Sequence, residues 1–274
     1  MDLVTVKEIE KLGPGEARNV RWREGDAWLA GGTWLFSEPQ THLRRLIDLH
    51  GLNWEPLTIS DAGLEIAATC PIARIEHYED SGAWPATVLF KPAARALLAS
   101  FKIQKTGTVG GNICMSLPAG AMVSLTSGLE GVCTILLRDG GERQVPVKDF
   151  VTGDNQNLLQ PGDLLRSILL PASVLRRRAG FRRMSMTHQG RSSVFLLATQ
   201  CPETGVFVLT VTASTYHPVQ MAFDAVPSAA ELQDRLAATI PDSLYFNDVH
   251  GSPEYRKHMT LYFAEELRLE LGGA

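Results

Sequence analysis

The densest chemistry in the chain lies between Thr108 and Gly120, in the run TVGGNICMSLPAG. Gly110 and Gly111 carry no Cβ, so the backbone there can lie close against a bulky ligand. Thr108, Asn112 and Ser116 flank the pair with short donors and acceptors suited to phosphate or ribityl hydroxyls. A second glycine pair ends the apolar run Leu29-Ala30-Gly31-Gly32-Thr33. Turn amides can converge on an anion, so the two loops together could hold one nucleotide cofactor. Other chemistry is missing. Gly13-Pro14-Gly15 lacks the third glycine of G-x-G-x-x-G and has no strand before it. There is no Walker A loop, no G-x-S-x-G and no H-E-x-x-H, and the seven histidines are scattered without metal-ligand spacing. His217 before Pro218 reads as a turn residue; His188 and Arg191 could approach a cofactor or a partner, but a surface loop is the better reading.

The elements that must position these loops follow from pattern. The chain has 274 residues, 45% apolar and 20% charged, which is ordinary for a globular protein of two or three compact units. A formal charge of −4 argues against nucleic acid or an anionic membrane as partner. Arg176-Arg177-Arg178 is the one basic cluster, and it reads as a solvated segment between units. The N-terminus is charged and has no apolar h-region, and no apolar run is long enough to cross a bilayer. Cys70, Cys114, Cys133 and Cys201 form no C-x-x-C pair, so the expected setting is the reducing cytoplasm and no zinc or iron–sulfur site is expected.

Residues 1–52 read as a small α/β unit, with Trp28-Leu29-Ala30 and Leu46-Ile47-Asp48-Leu49 as strands around the first glycine turn. Residues 53–173 read as an α+β unit. Its hairpins turn at Ser60–Gly63 and at Arg138–Arg143; a helix is predicted over Ala93–Phe101, with the glycine loop at 110–111 after it. Residues 174–274 form a third unit, with a hairpin through Pro202-Glu203-Thr204-Gly205. It adds a helix capped at Ser228 and a last helix that starts at Ser252-Pro253. The last helix should bury Tyr255, Met259, Tyr262, Phe263 and Leu267 on one face and end at Gly272-Gly273.

Thr108-Val109-Gly110-Gly111-Asn112-Ile113 followed by Pro118-Ala119-Gly120 resembles the T-x-G-G-N…P-A-G motif of the FAD-binding subunits of molybdenum hydroxylases, the xanthine dehydrogenase, carbon monoxide dehydrogenase and aldehyde oxidase type. Ala30-Gly31-Gly32-Thr33 with Leu46-Ile47-Asp48-Leu49 is similar to that family's A-G-G-T and L-I-D-L. The likeness continues through Leu64–Thr69, Gly162-Asp163-Leu164-Leu165 with Pro171, and Gly251-Ser252-Pro253-Glu254-Tyr255-Arg256. It therefore covers nearly the whole chain in order.

The resemblance implies an α+β fold of the vanillyl-alcohol-oxidase/CO-dehydrogenase flavoprotein type. Two subdomains would grip FAD, and a C-terminal α+β domain with an antiparallel sheet would cover one side. By position, Leu29, Ala30, Gly31, Gly32, Thr33, Trp34 and Leu35 would cradle the pyrophosphate. Thr108, Gly110, Gly111 and Asn112 would contact the diphosphate and ribityl region, with Cys114, Met115, Ser116 and Gly120 nearby. Leu164 and Leu165 match apolar positions beside the cofactor, although ordinary core is an equal reading of both. Arg182 or Arg183 matches a basic position. The implied partners are a large molybdopterin-binding subunit and a small [2Fe–2S] subunit. Electrons would pass through FAD to NAD+, a quinone, a cytochrome or oxygen.

Three departures mark a divergent member. Trp34 stands where Asp is frequent, Lys102-Ile103-Gln104-Lys105 replaces Q-I-R-N, and Ala121 stands where an acidic residue commonly follows P-A-G. Losing an Asp removes a charge-assisted hydrogen bond of about 1.5–3 kcal/mol. The competing readings are a scaffold subunit that has lost FAD and a self-contained flavin enzyme. The latter would need an acid–base pair that the sequence does not offer. Gly111→Val should abolish flavin retention, since the side chain would enter the ligand's space, whereas Cys114→Ala should keep it. The flavin absorbance of the two purified variants checks both.

Overall fold

The computed structural model describes residues 3–273. The first sheet is parallel and contains β1 (Glu8–Lys11), β2 (Asp26–Leu29) and β3 (Arg45–Asp48), in the order β1-β3-β2. Its centre is an ion pair. Arg45 donates to both carboxylate oxygens of Asp26, Nε to Oδ1 at 2.9 Å and Nη2 to Oδ2 at 2.5 Å, and also reaches Glu10. Burial pushes the Asp26 carboxyl up, but the bonds from Arg45 and from the Arg23 amide outweigh it and leave it below its ordinary value.

The second sheet is antiparallel, with the order β4-β5-β10-β6-β7. The expected hairpins are present as β4 (Leu57–Ser60) with β5 (Gly63–Ala67), and β6 (Val132–Leu136) with β7 (Glu142–Pro146). Between them run α1 (Ile72–Glu76), α2 (Phe90–Ala96), α3 (Phe101–Thr106), α4 (Val109–Met115) and α5 (Ala121–Gly128). After β7 come the short α6 (Val147–Phe150) and a ribbon of β8 (Val151–Gly153) and β9 (Gln156–Asn157). Then β10 (Leu164–Pro171) enters as the central strand, followed by α7 (Ala172–Leu175). The Trp28 indole donates to the Asp163 carbonyl at 2.9 Å, tying the first sheet to the second.

The third sheet is an antiparallel meander of β11 (Arg178–Met184), β12 (Val194–Gln200), β13 (Phe207–Thr212) and β14 (Val219–Phe223). One face carries α8 (Ala229–Thr239) and α9 (Pro253–Gly272). The other face meets α5, whose eight residues are all buried. A helix with three hydroxyl side chains can be buried only if each finds an acceptor. Thr126 and Ser127 donate to the carbonyls of Met122 and Val123 at 2.7 and 2.6 Å, and Ser124 lies 2.6 Å from Thr212 Oγ1 on β13.

Four expectations are corrected. A strand, β1, does precede Gly13-Pro14-Gly15, which still lacks the third glycine of the dinucleotide fingerprint. The helix predicted over Ala93–Phe101 breaks, because Leu98 turns to φ 53° and the Ser100 side chain caps a new helix, α3. The arginine cluster is solvated at Arg176 and Arg178, as expected, but it is also tied down: Arg177 bonds Glu130 at 2.5 Å, and Arg178 donates to the last-turn carbonyls of Glu270 and Leu271 on α9. The buried stripe of α9 also differs from its apolar pattern. Arg256, Thr260, Phe263, Ala264, Leu267 and Leu271 face inward, while Tyr262 is exposed. Carbonyl acceptors around Arg256 make that polar burial possible.

A Cβ added at Gly128 would stand 2.7 Å from Leu197 Cδ1 and 2.8 Å from its Cβ. Gly128→Ala should therefore force α5 off the third sheet and cost about 1–3 kcal/mol, the usual toll of overpacking. Denaturant unfolding of the variant measures it, and an unchanged midpoint would contradict the packing.

Candidate functional site

A cleft of about 810 Å³ opens between the segment Ala30–Leu35, the stretch from Thr108 to Gly120, and a wall from the last third of the chain. The first segment leaves β2 and turns at Gly32, which holds φ 68°. Gly31 is required by a neighbour rather than by a ligand, since a Cβ there would lie 1.9 Å from the Thr106 carbonyl oxygen at the end of α3. The turn closes through Phe36 N–H to the Gly32 carbonyl at 3.0 Å and Ser37 N–H to that of Trp34 at 2.9 Å. Among the described residues, the amides of Gly31, Gly32, Thr33, Trp34 and Leu35 make no hydrogen bond. Successive free amides in a turn form an anion cradle.

The second glycine pair is not a loop but the first turn of α4. Thr108 caps it, its hydroxyl accepting from Gly111 N–H at 3.0 Å. Val109 and Gly110 donate to the carbonyls of Cys70 and Ala68, both at 2.9 Å, so the leading amides are already spent. A Cβ at Gly110 would lie 2.4 Å from that of Ala68, which explains the glycine as a packing requirement. Gly111 is different: it lines the cleft, and a Cβ there would meet only Thr108 Oγ1, at 2.9 Å. Asn112 accepts from Met122 N–H at 2.9 Å, which fixes its Oδ1 and leaves Nδ2 for the cleft. Cys114, Met115 and Gly120 also line it. Burial pushes the Cys114 thiol up to about 12, so it is an inert wall group.

Six of the expected site residues lie outside the lining. Leu29 sits on β2, Gly110 packs on Ala68, and Ser116 is buried, bonding Ile113 O and Asn157. Leu164 and Leu165 belong to β10, each packed in a hydrophobic core. Arg183 donates to Ser192 Oγ and the Gly190 carbonyl, both at 2.7 Å. It braces the 185–192 turn that carries Gln189, Arg191 and Ser192 into the cleft. Burial lowers its pKa. Arg182 points elsewhere, to Glu266 and Glu270.

Sequence reasoning missed the third wall, where Phe246, Asp248, His250 and Arg256 meet Arg191 and Ala213. These residues come from separate loops, and no local spacing links them. The signals were Arg191, read as part of a surface loop, and Arg256 within Gly251–Arg256, read as likeness without a role. The opposite part of the lining is apolar, with Ile72, Leu97, Leu98 and Ile103. Free amides, the bare Gly111 and apolar walls fit a dinucleotide with an anionic middle and a planar ring, and the volume falls in the range of about 300–1,000 Å³ typical of ligand sites. Among the described residues no His, Cys, Asp or Glu cluster could hold a metal ion.

Known proteins resemble the chain in sequence and in fold. The caffeine dehydrogenase subunit beta of Pseudomonas sp. (strain CBB1) is 32% identical over 85 residues, a match spanning 31% of this chain and 29% of that subunit. The fold is similar to a chain of quinoline 2-oxidoreductase from Pseudomonas putida 86, with a TM-score of 0.79, 17% identity and coverage of 99% and 98% of the two chains. It is also similar to one of carbon monoxide dehydrogenase from Hydrogenophaga pseudoflava, with a TM-score of 0.78, 19% identity and coverage of 97% and 96%. Residues 17–173, more than half of the chain and including both glycine pairs, match the family described as the FAD binding domain in molybdopterin dehydrogenase. The chain belongs to that family, and its cofactor is FAD.

Proposed function

We propose that this chain is the electron-transfer subunit of a molybdenum hydroxylase-type dehydrogenase, taking electrons from iron–sulfur clusters on a partner and passing them to an acceptor such as NAD+. The observation that carries the reading is the cleft itself. It offers a cradle of free amides at Gly31–Leu35 and an oriented Asn112 amide, with apolar side chains opposite, a lining that suits holding a dinucleotide. Bound FAD supplies the redox chemistry, and the protein supplies orientation and electrostatics.

The amides from Gly31 to Leu35 would hold the diphosphate, and Asn112 Nδ2 would donate to an adjacent oxygen. Ile72, Leu97, Leu98 and Ile103 would exclude water from a planar ring. Behind the lining, Leu29 leads β2 into the cradle, Gly110 seats α4 on Ala68, Ser116 ends α4, Leu164 and Leu165 fill the core at β10, and Arg183 holds the turn that carries Arg191. The chain would divide into three units at 52/53 and 173/174, one sheet to each, a reading that the sheet order supports although the second bound falls within α7. The substrate would be oxidised on a large molybdopterin-binding partner, with a small [2Fe–2S] partner between the two sites. The named relatives, a caffeine dehydrogenase subunit and carbon monoxide dehydrogenase, support that assignment. Cysteines without disulfide partners suit a cytoplasmic setting.

The test is the absorption spectrum of the purified chain, alone and in its complex. Oxidised-flavin bands with stoichiometric FAD are expected. A colourless protein in both preparations would favour the scaffold that has lost FAD. Gly31→Ala should lose most of the flavin, because its methyl group cannot share space with the Thr106 carbonyl and the cradle must swing away from α3. Full flavin content in that variant would show that the segment does not hold the cofactor.

A further inference from the structure

The third wall of the cleft is built around one buried cation. Arg256 is 1% exposed. Its Nε donates to the Gly251 carbonyl at 3.0 Å, and one terminal nitrogen donates to the carbonyls of Ser193 and Ala213 at 2.5 and 2.6 Å. The other terminal nitrogen bonds Asp248 Oδ1. The guanidinium also lies 5.3 Å from the ring centroid of Phe246. Ser193 in turn donates to the His250 carbonyl. One side chain thus fixes the loops that bring Phe246, Asp248 and His250 to the cleft. Burial pulls the Arg256 pKa down and the Asp248 charge opposes it; a guanidinium stays charged at any ordinary pH.

Asp248 is the unusual member. Its Oδ1 is pinned twice, by Arg256 and by the His250 amide at 2.9 Å. Its Oδ2 has no partner among the described residues, and it is not sealed from solvent. The residue lines the cleft. A carboxylate with one oxygen clamped and the other open is a pre-oriented acceptor, and an ionised acceptor is the stronger kind. The only other carboxylate on the lining is that of Asp154, whose Oδ1 accepts from the neighbouring Asn155 side chain.

We infer that Asp248 Oδ2 accepts a hydrogen bond from an N–H or O–H donor of the bound FAD, with Arg256 as the positioning residue that aims it. This rests on the cleft being the FAD site. A ring N–H and a sugar hydroxyl are both donors FAD can offer. They are separable, because a carboxylate beside the ring also changes its reduction potential, whereas one beside a sugar changes affinity alone.

The decisive variant is Asp248→Asn, which keeps the shape, loses the charge and leaves Arg256 an acceptor oxygen. With the apo-protein refilled by FAD well below its melting temperature, affinity should fall about tenfold or more, the loss of one charge-assisted bond; the apo-protein itself should melt lower, because Arg256 loses its buried counter-charge. The fragments FMN and ADP locate the donor. A loss carried by FMN together with a raised flavin potential places it on the ring; a loss in FMN or ADP without a change in potential places it on a polyol or ribose. If Asp248→Asn does not fold, Asp248→Glu keeps the ion pair but pushes the open oxygen into the cleft, and it too should weaken FAD. Unchanged FAD affinity in either folded variant overturns the inference. Wild-type protein that takes up no FAD would instead overturn the cofactor site on which it rests.

Discussion

The structure depends on burying a helix that is not wholly apolar. All eight residues of α5 are removed from water, although Ser124, Thr126 and Ser127 lie within it. Each unpaired hydroxyl in such a place costs about 1–3 kcal/mol. The cost is avoided because two hydroxyls fold back on the helix's own carbonyls and the third meets Thr212 on the neighbouring sheet. Gln220 adds a bond to the Ser127 carbonyl at 2.9 Å, so β14 is tied to α5 as well. With α5 fixed, the second and third sheets cannot slide past each other. Asn112 is held too, since its oxygen is bound to the amide of Met122 on α5. One buried helix therefore sets both the packing and the orientation of a cleft side chain.

Two glycine pairs with the same letters do different work. Gly31 allows the first segment to touch α3, and Gly32 supplies a left-handed turn. Gly110 lets α4 lie on Ala68, and only Gly111 is left bare toward the cleft. Close backbone approach is thus used twice for protein against protein, at Gly31 and Gly110, before it serves a ligand at Gly111. The glycines of the motif therefore answer to the fold and the ligand alike.

Much of this was legible in the sequence. The hairpins around Asp61 and Gly140 and the caps at Ser228 and Ser252 are local features, set by residues within a few positions of one another, and the structure has them where they were expected. Ala30, Gly31, Gly32, Thr108, Gly111 and Asn112 do gather at one cleft. What was not legible depended on distant partners. The apolar pattern of α9 found Phe263 and Leu267 on the buried side but put Tyr262 there and left out Arg256, because it could not know that carbonyls of Ser193, Ala213 and Gly251 would surround that arginine. Leu164 and Leu165 read equally as cofactor wall or core until β10 was seen between β5 and β6. The break at Leu98 went unseen because leucine carries no turn signal, and a left-handed leucine is rare.

The small parallel sheet leaves two flanks open, β1 on one side and β2 on the other. Open flanks invite strands of other chains, and proteins deter this with short, charged edges. Here β1 has four residues, Glu8-Ile9-Glu10-Lys11, and its two acids reach back to Arg45 on the middle strand. A foreign strand that paired there would meet alternating charge and little length to grip. The ion pairs that organise the sheet from within thus also guard it against aggregation from outside, at the exposed flank nearest the chain's start.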